Sequence, residues 1–111
     1  MNRGEVWWVE FDPAPIDKSG SEIRKTRPAV IVSNNTSNRH LARVQVVPLS
    51  SSFERVYPSE TVVAIAGQRS KVMADQIMTA DKRRLKQTLG KLSQADLQAV
   101  DGIIKLQLGL V

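Results

Sequence analysis

What this chain lacks narrows it first. It has no cysteine, which excludes disulfides, thiolate metal sites and a cysteine nucleophile. No apolar run approaches the eighteen or so residues needed to cross a bilayer, and no hydrophobic leader follows the opening Met1–Glu5, so a cytoplasmic location without membrane contact is the expectation. Its single histidine, His40, sits beside Arg39 and Leu41 at the end of a polar turn, where a surface or half-buried structural role is favoured and no chemistry is assigned. Acid is also in short supply. Eleven Asp and Glu face sixteen Lys and Arg, a formal net charge of +5. In so short a chain that excess attracts polyanions and speeds encounter with them, pointing to nucleic acid, an acidic protein partner, or both. The basic residues are spread through strands and loops instead of lining one face of a helix, which argues against a membrane surface.

The 111 residues suffice for one hydrophobic core, and residues 1–111 read as a single domain. Residues 3–11 alternate with period two. Trp7, Val9 and Phe11 share the expected core face, opposite Val6, Trp8 and Glu10. The pattern leaves Trp8 open between a second hydrophobic contact and a subunit interface. After Asp12-Pro13 no apolar run begins until Ala29, and so long a connection is expected to be a mobile flap over a binding surface.

That connection ends in the most informative stretch of the chain. Glu22, Arg24, Lys25 and Arg27 lead straight into Pro28 and the apolar run Ala29–Val32. Pro28 pushes Arg27 toward extended geometry, so a guanidinium stands at the mouth of a buried strand, expected over Arg27–Ser33. Its planar fork suits two phosphate oxygens. The plainer reading is a solvated basic turn, and only the sum of features along the chain outweighs it.

Beyond it, Ser33–Asn38 reads as turn chemistry. Arg43–Leu49 reads as a strand whose Pro48 implies an edge position or a bulge, with the hydroxyls Ser50, Ser51 and Ser52 directly after it. Thr61–Ala66 and Lys71–Thr79 read as further strands, with a polar hairpin tip over Gly67–Lys71 whose simplest role is solubility. A helical turn is expected near Lys82–Leu85. Ser93 with Asp96 resembles a capping box, and Leu97, Val100, Ile104 and Leu108 then recur at helical spacing, widened by Ile103 and Leu106. Five or so short strands and a closing helix predict a mainly β protein, a small antiparallel barrel or half-barrel.

Several blocks together resemble the MazF/PemK family of toxin endoribonucleases: Arg3-Gly4-Glu5-Val6-Trp7, Gly20-Ser21-Glu22, Thr26–Asn34, Val47–Ser50, Asp75-Gln76-Ile77 and Asp81–Leu85. They lie in order over nearly the whole chain. The resemblance implies an SH3-like β-barrel of the MazF/PemK/CcdB type with a C-terminal helix and a homodimer. It implies metal-independent cleavage of single-stranded RNA with no cofactor, and inhibition by a small MazE-like antitoxin. Carried over by residue, the catalytic arginine falls on Arg27 and the catalytic hydroxyl on Ser50, where the family usually has threonine. Glu22 matches the loop carboxylate and Gln76 a glutamine near the substrate groove, while Ser21, Arg24, Lys25 and Thr26 complete the expected RNA-binding set.

The chemistry needs no metal in principle, because RNA carries its own nucleophile in the 2′-hydroxyl. Arg27 would offset charge on the phosphorane, Ser50 would hold a phosphate oxygen or the 2′-hydroxyl, and Glu22 is the nearest candidate base. Two alternatives remain at this stage: a toxin of the same fold that poisons a protein such as DNA gyrase, and a non-catalytic RNA-binding barrel.

Overall fold

A computed structural model describes residues 1–11 and 26–110 of the chain. Seven strands, two α-helices and two 3-10 turns follow one another: β1 (Glu5–Glu10), β2 (Thr26–Ile31), α1 (Asn35–His40), β3 (Arg43–Ser50), β4 (Glu60–Ile65), β5 (Gln68–Met73), a 3-10 turn (Ala74–Gln76), β6 (Met78–Asp81), a second 3-10 turn (Lys82–Arg84), β7 (Leu85–Lys91) and α2 (Gln94–Leu108). All strand pairs are antiparallel, in the order β4-β5-β3-β2-β1-β7, with β6 also paired to β3. The two ends of this path curl toward each other. A Cβ built on Gly90 of β7 would lie 3.5 Å from Ile65 Cδ1 of β4, an ordinary van der Waals contact. The result is a curled half-barrel, closed on one side by α2.

The sheet is covered on both faces. Val6, Val30, Val47, Leu49, Val63 and Val72 join Val100 and Ile103 of α2 in one core cluster; Val9, Ala29, Ile31, Val44, Val46, Ala80 and Leu85 form a second one behind the sheet. This corrects the one-faced reading of β1. Trp7, Val9 and Phe11 do share a face, but Val6 on the other side is fully buried under α2. The alternation of β1 turns its residues to both layers, and the register shifts with β7, between Val6 and Trp7 and between Trp8 and Val9, leave the extra residues in β7.

Four local expectations change. Ser33–Asn38 is turn chemistry turned to helix initiation: the Asn34 side chain accepts from Ser37 N at 2.8 Å and caps α1. Pro48 is neither on an edge nor in a bulge. It pairs with Ala29 on one side, and on the other it stands between the part of β3 paired with β6 (through Val46) and the part paired with β5 (from Leu49), where a missing N–H costs no ladder bond. The strand expected over Lys71–Thr79 is broken by the 3-10 turn at Ala74–Gln76, and β7 is an additional strand. The β4–β5 hairpin turns at Ala66 and Gly67, with φ of 51° and 77°, the positive values that a two-residue type I′ turn demands at both positions.

The closing helix begins as its residues predict. Ser93 Oγ accepts from Asp96 N at 3.1 Å, and Asp96 Oδ2 reaches across to accept Ala64 N of edge strand β4 at 3.0 Å. Arg3 ties the start of the chain to the same helix through Asp101, while its Nε donates to Val32 O at 3.0 Å. Gly4 passes beneath α2 at φ 92°, where a Cβ would come within 3.0 Å of Leu97 Cδ2. Only part of the predicted stripe is used: Val100 and Ile103 are buried, whereas Leu106, Leu108 and Leu110 are exposed. Among the described residues no helix is long and apolar enough to cross a membrane.

Candidate active site

The strand order brings the beginning of β2 beside the end of β3. Their register pairs Ala29 with Pro48; continued two residues toward the sheet end, it sets position 27 opposite position 50. Alternation puts Arg27 on the same face as Ala29 and Ile31, and Ser50 on the same face as Val46. A guanidinium and a hydroxyl 23 positions apart in sequence thus stand at the same end of the sheet.

Both line a cleft of about 350 Å³. Trp8, Pro28, Leu49, Ile65 and Leu89 supply its apolar walls, Ser51, Gln68 and Ser70 further polar groups, and Ala66 its rim. Trp8 is thereby placed: it is a half-buried wall of the cleft beside Arg27. Ser50 Oγ donates to Ser52 O at 3.0 Å and accepts from Ser52 N at 3.3 Å, a small loop that holds the hydroxyl at the strand end. Among the described residues no carboxylate forms an ion pair with Arg27, and its extended backbone is fixed by pairing with Val9 in β1.

The segment after Ser50 is anchored from the next strand. Lys71, paired opposite Ser50 in β5, forms a 3.3 Å ion pair with Glu60, and both side chains are largely buried. Lys71 Nζ also donates to Arg55 O at 3.4 Å, and Glu60 Oε1 accepts from Tyr57 N at 2.8 Å. Buried charges need such pairing, and here they fix the connection leading from Ser50–Ser52 to β4.

The remaining expected site residues are placed differently. Thr26 is exposed at the start of β2, opposite Glu10. Gln76 lies in the 3-10 turn, its Nε2 donating to Met73 Sδ at 3.5 Å, and is not part of the cleft lining. Ser21, Glu22, Arg24 and Lys25 lie outside the described residues, as does the flap expected between β1 and β2. Conversely, Gln68 and Ser70 belong to the cleft although residues 67–71 read as a solubilising hairpin tip. The signal was available for Ser70, which shares strand parity with the buried Val72 and so had to point inward.

Two carboxylates near the strand ends are held below their ordinary values. Burial raises Glu5, but the hydrogen bond from Trp7 Nε1 at 2.9 Å, together with Asn2 and the chain amino group, outweighs it and lowers it from 4.5. Asp81 is lowered from 3.8 by hydrogen bonds from the Arg83 side chain and backbone.

A half-barrel with an arginine and a hydroxyl at one sheet end defines a class already suggested by the sequence blocks, and comparison bears it out. A family described as "PemK-like, MazF-like toxin of type II toxin-antitoxin system" matches residues 2–108, and the chain belongs to it. It is 36% identical to Endoribonuclease MazF9 of Mycobacterium tuberculosis, covering 99% of this chain and 98% of that protein. Identity to Endoribonuclease MazF of Staphylococcus epidermidis is 31%, over 99% and 92% of the two chains. Among solved structures, a mycobacterial endoribonuclease in complex with its cognate antitoxin superposes with a TM-score of 0.81 at 27% identity, covering 100% of this chain and 97% of that one. A MazE–MazF structure from Deinococcus radiodurans gives the same TM-score, identity and coverage.

Proposed function

We infer that this chain is the toxin of a toxin–antitoxin pair and a sequence-specific endoribonuclease acting on single-stranded RNA. The observation that carries the reading is the convergence of Arg27 and Ser50 on one cleft, in a chain of this family. The ribose 2′-oxygen attacks the adjacent phosphorus, the bond from phosphorus to the 5′-oxygen breaks, and the products carry a 2′,3′-cyclic phosphate and a 5′-hydroxyl. The attacking hydroxyl loses its proton to a base, for which Glu22 is the candidate, and the leaving 5′-oxygen takes one from solvent water. Arg27 stabilises the charge that develops on the phosphoryl oxygens, the role a permanently charged fork fills best. Ser50 donates its hydroxyl to a phosphate oxygen or orients the nucleophile.

Since nucleophile and electrophile both belong to the substrate, the protein's task is alignment and electrostatics, and no metal is required. Incubation with a long RNA in EDTA tests this: discrete fragments with 5′-hydroxyl ends are expected. Intact RNA would favour a protein-poisoning or purely RNA-binding relative instead. A single 2′-deoxy nucleotide immediately 5′ of a cut site should abolish that cut alone; its survival would mean that water is the nucleophile.

The same reading includes control and assembly. The toxin acts in the cytoplasm as a homodimer, a state that the exposed leucines Leu106, Leu108 and Leu110 support. Its antitoxin is a MazE-like protein whose acidic segment, disordered when free, orders on the cationic groove and displaces RNA. The antitoxin-bound structures among its structural neighbours support that partner.

A further inference from the structure

We propose that the cleft beside Arg27 and Ser50 is a pocket for one nucleobase flanking the scissile phosphate, stacked on Trp8 and read by the hydroxyl of Ser70; this rests on the reading that the chain binds single-stranded RNA. Ser70 is only 5% exposed, yet its hydroxyl has no hydrogen-bond partner among the described residues and is not sealed from solvent. It lies in the cleft lining. A hydroxyl this deep, open to the cleft and without a protein partner is left to bond water or whatever enters the cleft.

The rest of the cleft says what enters. Its cation stands at one end, at Arg27, and its walls are Trp8, Leu49, Ile65 and Leu89. Phosphate suits the Arg27 end but not those walls, whereas a base presents an apolar face to Trp8 and a polar edge to Ser70. Base–aromatic stacking is worth about 1–3 kcal/mol per base. A volume of about 350 Å³ lies at the small end of ligand pockets and takes one base with its sugar, not a run of several. A serine hydroxyl both donates and accepts, so it tells bases apart by which edge leaves it unpaired.

The test uses the intrinsic tryptophan fluorescence of the whole protein and four uncleavable 2′-O-methyl homopentanucleotides, one for each base. Trp8 lines the cleft and Trp7 does not, so stacking in the cleft reports through Trp8. Wild type should show saturable quenching with affinities that differ among the four bases. In Ser70→Ala the spread should shrink by about five-fold, and Trp8→Phe, which keeps a smaller aromatic face, should lose the quenching and bind every pentamer more weakly. An unchanged spread in Ser70→Ala, or unchanged quenching in Trp8→Phe, overturns the proposal; if Trp8→Phe does not fold, the Ser70→Ala series decides alone. RNA cut at discrete sites without base-dependent quenching refutes the pocket and leaves the nuclease standing. Base-dependent quenching without cleavage does the reverse, and the absence of both refutes both.

Discussion

Arg27 at the start of β2 and Ser50 at the end of β3 fall opposite one another across the continued β2–β3 register, so the two groups best suited to a phosphoryl centre share one sheet end. Each is held by its own ladder, Arg27 by pairing with Val9 and Ser50 by pairing with Lys71. Single substitutions there leave both ladders in place and are interpretable.

Arg27→Ala should lower the rate of RNA cleavage by about 10²–10³-fold, the usual cost of removing one transition-state donor. Its melting temperature should stay close to that of the wild type, because the side chain lines the cleft while the backbone pairing with Val9 is kept. Arg27→Lys keeps the charge but loses the fork, and should recover only part of the rate. A folded Arg27→Ala protein that cuts at an undiminished rate would remove Arg27 from the mechanism.

Ser50→Ala should be strongly impaired, whereas Ser50→Thr should remain active because the hydroxyl survives and only a methyl is added. The added branch also stiffens χ1. Comparison of initial rates on one RNA suffices, and an inactive threonine variant with a normal melting curve would show that the hydroxyl does not act from this position.

Lys71→Met should destabilise the fold by about 3 kcal/mol, because it leaves the largely buried Glu60 carboxylate without its partner. The double variant Glu60→Gln/Lys71→Met should be more stable than the single one. Denaturant unfolding measures both, and a single variant within experimental error of wild type would show that the pair contributes nothing. Because Lys71 also holds Arg55 O, the single variant should lose activity beyond what its stability explains.

Glu5 is lowered in the folded protein from an ordinary 4.5. A depressed carboxylate contributes stability above its unfolded value and loses it as pH falls through the folded one. Melting temperature should therefore drop as pH is taken below 4.5, with a shallower drop in Glu5→Gln. Equal slopes in the two proteins would show that the Trp7–Glu5 bond carries none of the acid sensitivity.

The sequence by itself determined the β-rich class, the Ser93-capped closing helix and the placement of Arg27 before a buried strand, because each depends on neighbours within a few residues: strand alternation, a capping side chain, a proline that restricts its predecessor. Only the tertiary structure decided the rest. Strand β7 was illegible because Lys86, Gln87 and Thr88 are all exposed on an edge strand, and the bulged register with β1 erases alternation. Pro48 looked like an edge residue until the change of partner from β6 to β5 left its missing donor without a ladder bond to lose. Trp8, Gln68 and Ser70 come together with Arg27 and Ser50 through the curl that brings β4 toward β7. That closure is a long-range contact, and no local pattern encodes it.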